Sequence, residues 1–181
     1  MMLARRTLIV WSAAAALLAG CQTLHTGERR LQGRFSLRVT DEAGRRDAQQ
    51  GRFELLDAPS LRRLDLLTPL SGVLARIEAA PGEARLYRGS GDAVVRAGSA
   101  EDLTLSIIGF PVPVTTLSEL LFAPAPAQIP DELTVDGWLV RILSRFPAGA
   151  PRQVRLNKTS PAPGLADITL TIVVEESAIG Q

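Results

Sequence analysis

The sequence predicts an α+β domain in which a curved antiparallel sheet carries helices on one face. Three observations lead there. Apolar and polar residues alternate with period 2 from Arg34 to about Ala97. The period lengthens to that of a helix between Ser99 and Phe122, and alternation returns from Trp138 to the C-terminal strand. Most of the alternating runs have one apolar and one polar face, as expected for antiparallel strands covered on one side.

Taken in order, Phe35, Leu37 and Val39 alternate with Arg34, Ser36 and Arg38, and Asp41-Glu42-Ala43-Gly44 reads as a turn. Phe53 and Leu55 follow, then Leu64 and Leu66, then Val73, Ala75 and Ile77. Ala84 and Leu86 come after a Pro81-Gly82 turn, and 91–97 is a weaker strand. Ser99 is placed to cap a helix with Glu101 and Asp102 in its first turn, Leu103, Ile107 and Ile108 on its apolar side and Gly109 as its stop. Phe110 to Val114 is expected to be extended, because Pro111 and Pro113 fix φ. Thr116 opens a second short helix with Leu117, Leu120, Leu121 and Phe122, and Ala123 to Pro130 reads as a proline-rich linker. Trp138, Val140 and Ile142 alternate with Leu139, Arg141 and Leu143, so this strand is apolar on both faces and is expected to be central. Val154 with Leu156, and Ile168, Leu170, Ile172 and Val174, supply the last two strands.

The N-terminus predicts export. Met1 to Arg6 is basic, Thr7 to Leu18 is apolar, and small residues precede Cys21. The apolar run is shorter than the roughly 20 residues of a membrane span. Cys21 is the lone cysteine, so it forms no intramolecular disulfide. The Leu18-Ala19-Gly20-Cys21 context resembles the lipobox of bacterial lipoproteins. That resemblance implies cleavage before Cys21 and lipid attachment to it, and acyl chains at about 0.8 kcal/mol per buried methylene anchor stably. Gln22, where an Asp would mark inner-membrane retention, implies the outer membrane with the domain facing the periplasm. The expected division is a signal peptide over 1–20, a lipidated N-terminus and tether over 21–31, and one domain over 32–181.

Composition narrows the function classes. The formal charge is +1 for the 181 residues, and it falls to −1 when a leader with Arg5, Arg6 and no acid is removed. A nearly neutral body argues against a nucleic-acid partner. Apolar residues make up 46% and aromatic residues 4%, so the interior must be mainly aliphatic. His25, the one histidine, lies in the tether and reads as an exposed linker residue, with no second His or free Cys to join it in catalysis or metal binding. The acidic pairs Asp41-Glu42, Glu101-Asp102 and Asp131-Glu132 fall in turns or helix starts and point to solvent rather than to glycoside hydrolysis. Neither a phosphate-binding glycine loop nor a G-x-S-x-G elbow is present. Arg29-Arg30 and Arg45-Arg46 can touch anionic headgroups, although a solvated surface is their ordinary reading. The expectation is a protein that is not an enzyme and uses no metal or other cofactor.

The segments GRFSLRV, GRFELL, LDLLTPLSGVLARIE and LSIIGFPVPVTTLSELL resemble the LolB family of outer-membrane lipoprotein receptors. The most specific element is Gly109-Phe110-Pro111-Val112-Pro113-Val114 followed by Leu117 and Leu120-Leu121, with further matches at Gly137-Trp138 and Pro151 to Leu156. The resemblance implies an unclosed, strongly curved antiparallel β-barrel with a lid of short helices over an apolar cavity. It implies a monomer that accepts lipoproteins from a LolA-like periplasmic carrier and inserts this cargo into outer-membrane lipid. The cavity would hold acyl chains, and its candidate lining is Phe35, Leu37, Phe53, Leu55, Leu64, Leu66, Ile77 and Leu86 from the early strands. Ile108, Phe110, Val112, Leu117 and Leu120 come from the lid, and Trp138, Val140, Ile142, Ile168, Leu170 and Ile172 from the later strands. For each of these an ordinary core position is an equal reading. Leu121-Phe122-Ala123-Pro124 departs from the family's Trp-containing helix end, and the short stretch from Phe122 to Trp138 implies a reduced lid or a missing strand.

The turn Pro69-Leu70-Ser71-Gly72 carries an apolar residue where a hairpin ordinarily shows water a polar one. By pattern alone Leu70 folds back on the barrel rim. The resemblance implies instead a protruding residue that helps place cargo in the membrane. The alternative function is an envelope-assembly or apolar-ligand-binding lipoprotein on the same fold.

Overall fold

A computed structural model describes residues 27–67, 72–89, 93–123 and 129–179. Ten strands form one antiparallel sheet: β1 (Arg29–Asp41), β2 (Arg46–Ala58), β3 (Leu61–Leu67), β4 (Val73–Ala80), β5 (Glu83–Arg88), β6 (Ala93–Ala97), β7 (Glu132–Val135), β8 (Trp138–Arg145), β9 (Pro151–Thr159) and β10 (Leu165–Ile179). Two helices, α1 (Ala100–Ile108) and α2 (Val114–Leu121), interrupt the strands between β6 and β7. The spatial order is β6-β5-β4-β3-β2-β1-β10-β9-β8-β7. Each half is a meander, and the first and last strands join the halves along nearly their whole length, from Arg29 opposite Ile179 to Asp41 opposite Leu165. The sheet is curved and unclosed, with β6 and β7 as its edges.

Three details of the sheet differ from the expectation. β1 starts at Arg29 and buries Leu31, inside the stretch read as tether. β7 occupies the short stretch before Trp138, so the closing edge keeps a strand there; alternation over only four residues, Glu132 to Val135, is too brief to stand out in sequence. β8 is next to the edge rather than central. Arg141 and Leu143 on its second face are exposed, so apolar residues on both faces did not mean cover on both faces.

Two Gly-Arg-Phe segments explain the register at the middle of the sheet. Gly33 pairs with Phe53, and Phe35 pairs with Gly51. Each ring lies against the glycine opposite: a Cβ on Gly33 would stand 3.0 Å from the Phe53 ring, and one on Gly51 2.9 Å from the Phe35 ring. Gly33 also meets its other neighbour, since the same Cβ would fall 2.0 Å from the Val173 carbonyl oxygen, beside a bulge between Gln32 and Gly33. Any side chain there would displace backbone.

Both helices lie on the inner face. Ser99 caps α1, its Oγ accepting from the Asp102 amide at 3.0 Å, and Gly109 ends the helix at φ 83°. α1 buries Ala100, Leu103 and Thr104 against β4–β6, where Ile77, Ala84, Leu86 and Val114 complete a small cluster. α2 starts at Val114, two residues before the expected Thr116, because Pro113 is tolerated just ahead of a first turn. It buries Leu117, Leu120 and Leu121 in a larger cluster with Phe53, Trp138, Val140, Leu156, Ile168 and Val174. Leu64 and Val112 pack against both clusters and join them.

Candidate functional site

Alternation on each strand decides which side chains face inward. The pairings Phe53–Leu66, Leu55–Leu64, Leu64–Ile77 and Ile77–Leu86 align one apolar set across the first half of the sheet. Phe35–Ile172, Leu37–Leu170, Leu170–Leu156 and Val140–Leu156 continue it across the second half. Of the expected lining residues, Phe53, Leu55, Ile77, Leu86, Phe110, Leu117, Leu120, Trp138, Val140, Ile142, Ile168, Leu170 and Ile172 are buried in the two clusters. Phe35, Leu37, Leu64, Leu66 and Val112 pack against the clusters but stay partly exposed.

Ile108 is the exception: it is 42% exposed and belongs to neither cluster. By helical period Ile107 lies on the same side as the buried Leu103 and Ala100, yet it is 37% exposed. The last turn of α1 therefore overhangs its support, and Leu105, at 48%, faces away from it.

The segment between the helices is held from two sides. The Val112 amide donates to Thr104 Oγ1 at 2.9 Å, and the Thr115 amide donates to Glu101 Oε1 at 2.9 Å, so α1 caps the start of α2. From the opposite wall Trp138 Nε1 donates to the Pro111 carbonyl at 3.1 Å, with the Phe110 ring 6.4 Å away at 56°. At its other end α2 is tied to the first strand: Arg29 Nη1 donates to the Phe122 carbonyl at 2.7 Å and its guanidinium lies 4.7 Å over the Phe122 ring. Arg29 is itself paired with Asp57, which also receives Arg62 at 3.1 Å. Sequence reasoning missed this inward-facing ionic group, because the three residues meet only through the β1–β2–β3 register. It also left Val154, Leu156 and Val174 out of the lining, although alternation alone places them on the inner face.

The inner face is open at one end. β3 stops at Leu67, opposite Arg52, while β1 and β2 run on, β1 still paired with β10 on its other side, and Arg46 to Gln50 of β2 are exposed. Phe35, Leu37 and Val39 of β1 keep their inward direction there without full cover. A separate cleft of about 230 Å³ lies around Leu56 on the outer face and is lined by Arg30, Glu54, Arg63 and Asp65 among others. Its charge sets it apart from the apolar face. Asp65 is buried and bridges Arg76 at 2.6 and 3.0 Å, a hydrogen bond that raises the Arg76 guanidinium pKa further above its ordinary value. Among the described residues no group of three or more His, Cys, Asp or Glu is placed to hold a metal ion, and no helix is long and apolar enough to cross a membrane.

Cys21, Pro69, Leu70 and Ser71 lie outside the described residues. Gly72 is described and exposed. The pair Leu67–Val73 closes the hairpin below that turn, and Leu74 beside it is 59% exposed.

The sequence model of the family described as "Outer membrane lipoprotein LolB" matches residues 28–176. The outer-membrane lipoprotein LolB of Bordetella petrii is 34% identical over 172 residues, covering 83% of this chain and 85% of its own. That of Bordetella pertussis is 34% identical over 165 residues, covering 81% and 82%. That of Cupriavidus pinatubonensis is 30% identical over 202 residues, covering 96% of each. A solved structure of a LolA superfamily protein from Nitrosomonas europaea aligns over 84% of this chain and 86% of its own, with 8% identity and a TM-score of 0.38.

Proposed function

The chain belongs to the LolB family of outer-membrane lipoproteins, and from that premise we propose that it takes lipoproteins from a LolA-like periplasmic carrier and inserts them into the outer membrane. In this reading Cys21 bears the lipid anchor and the domain faces the periplasm. The cargo's acyl chains lie on the inner apolar face between sheet and helices, and the turn with Leu70 enters the bilayer.

One observation carries the reading: Phe35, Leu37 and Val39 face inward at the open end of the sheet and remain partly exposed. An interior that served stability alone would cover them, because each square ångström of apolar surface left in water forgoes about 25 cal/mol. Leu66 and Val112 are likewise partly buried against the same cluster, and in this reading the five side chains are the entry by which an acyl chain reaches the inner face. Among the described residues the surrounding groups supply no nucleophile with a base beside it, and binding and release are the chemistry this reading asks of the face. Release requires modest affinity, which fits a lining of aliphatic side chains with few polar anchors.

Depletion of the protein tests the proposal. Lipoproteins are expected to accumulate in the periplasm bound to the carrier. Their normal arrival at the outer membrane, in a strain with no second copy, would refute it and leave the envelope-assembly or apolar-ligand reading.

A further inference from the structure

The outer face of the sheet carries a cluster of opposite character. Arg38, Arg141 and Arg155 surround an open groove of about 470 Å³ whose floor includes Leu139, Asn157 and Thr169. The register assembles it. Arg38 of β1 is opposite Thr169 of β10, which is opposite Asn157 of β9, and Arg155 in the neighbouring row is directly opposite Arg141 of β8. Like charges directly across an antiparallel pair are destabilising, so this juxtaposition is not explained by folding.

Other arginines of the same face are matched. Arg34 and Arg52 share Glu175, and Arg63 and Arg76 share Asp65. In the cluster, Glu132 of β7 pairs with Arg141 at 2.6 Å, and Asp167, one row beyond, accepts from the Thr169 hydroxyl at 3.3 Å. Arg38 and Arg155 are exposed and have no ion pair among the described residues. Arg46, opposite Thr40 at the same corner, is in the same condition.

We propose that this corner binds the phosphates of an anionic membrane surface and so sets how the domain stands on the bilayer. The cluster lies toward the end of the sheet that bears the β1–β2 and β9–β10 turns, which is also the end where the β3–β4 hairpin turns between Leu67 and Val73. Leu74, next to that hairpin, is 59% exposed. Guanidinium groups level with phosphates and apolar side chains directed past them are the two components of interfacial binding. An acidic protein would meet the arginines but gives the exposed leucine beside the hairpin no role. Guanidinium groups suit phosphate oxygens because their donors form a planar fork. Each arginine held near an anionic surface contributes about fivefold in membrane affinity. The inference rests on the membrane location in the reading above and not on cargo transfer, which can fail while this stands.

The test uses the full chain reconstituted in vesicles of phosphatidylcholine alone or with about a third phosphatidylglycerol. Phenylglyoxal modification of each arginine is followed by mass spectrometry. Arg38 and Arg155 are expected to react several-fold more slowly on the anionic vesicles at low salt, and the protection is expected to vanish in 0.5 M salt, since screening shortens the Debye length to about 4 Å. Arg152, exposed at the opposite end of β9, is the internal control and should react equally on both. Equal rates at Arg38 and Arg155 on the two kinds of vesicle would overturn the proposal. So would equal slowing at Arg152, or the same protection from millimolar inorganic phosphate on phosphatidylcholine, which would assign the groove to a free anion.

Discussion

Replacing Trp138 by Phe tests whether the contact between sheet wall and inter-helix segment holds the helices in place. The side chain is fully buried, and its one polar atom donates to the Pro111 carbonyl at 3.1 Å. Phe keeps the ring against Phe110 but removes that donor, leaving a carbonyl unpaired at a cost of about 1–3 kcal/mol. Pro111 is only partly buried, so water can reach it and the lower part of that range applies. The volume lost with the second ring adds about 1 kcal/mol. The total is about 2–3 kcal/mol, and with a urea dependence of about 2 kcal/mol per molar the unfolding midpoint should fall by about 1–1.5 M. Equilibrium unfolding in urea, followed by circular dichroism, reads this directly, with an unchanged slope if the native state keeps its compactness. A second substitution, Phe110→Leu, closes a cycle: the two rings, 6.4 Å apart, should couple by about 0.5–1.5 kcal/mol. A midpoint shift below about 0.3 M, together with additivity in the cycle, would refute the reasoning, since neither the hydrogen bond nor the ring contact would then be holding the segment.

Leu70→Glu should leave the unfolding midpoint and cargo binding unchanged but impair insertion into vesicles, because about 1.5–3 kcal/mol of favourable burial is replaced by a charge; insertion equal to that of the unaltered chain would remove the turn from the mechanism. Gly33→Ala should destabilise by about 1–3 kcal/mol, since the new Cβ would fall 2.0 Å from a backbone oxygen, whereas Gly51→Ala should cost less because the Phe35 ring facing it can shift; thermal unfolding of the pair gives the order, and a reversed order would contradict the register. The Arg45 side chain holds the Asp41 carboxyl below its usual range, and Arg85 does the same for Glu83. For a carboxylate with a depressed folded value the stabilisation is present above its unfolded value, near pH 4, and is lost as pH falls through the folded one. Asp41→Asn and Glu83→Gln should therefore lower stability modestly above about pH 4 and leave the acid side little changed, so that the acid limb of a stability–pH curve flattens; carboxyl chemical shifts titrating at ordinary values would sink this.

Much of the fold was legible because sheet residues repeat every two positions and helix residues every 3.6. Phe35-Leu37-Val39, Phe53-Leu55 and Ile168-Leu170-Ile172 announced their strands and their inward faces, and Ser99 and Gly109 announced both ends of α1. Four-residue β7 carries too few periods to be seen, and Trp138 to Leu143 misled because a strand can be apolar on both faces and still stand next to an edge. Ile108 looked like a lid residue by helical phase, but phase does not tell where the supporting strands end.

By itself the sequence determined the strand faces, the helical interruption, the family and the aliphatic character of the interior, since each of these follows from local pattern or from ordered motifs along the chain. Only the tertiary structure decided that β1 and β10 join the two meanders, that Arg29 reaches Asp57 and Phe122, and that Arg38, Arg141 and Arg155 meet on one groove. The physical reason is that register and curvature set which distant side chains become neighbours. A one-residue slip in any ladder would send Arg155 to the apolar face and Leu156 to water.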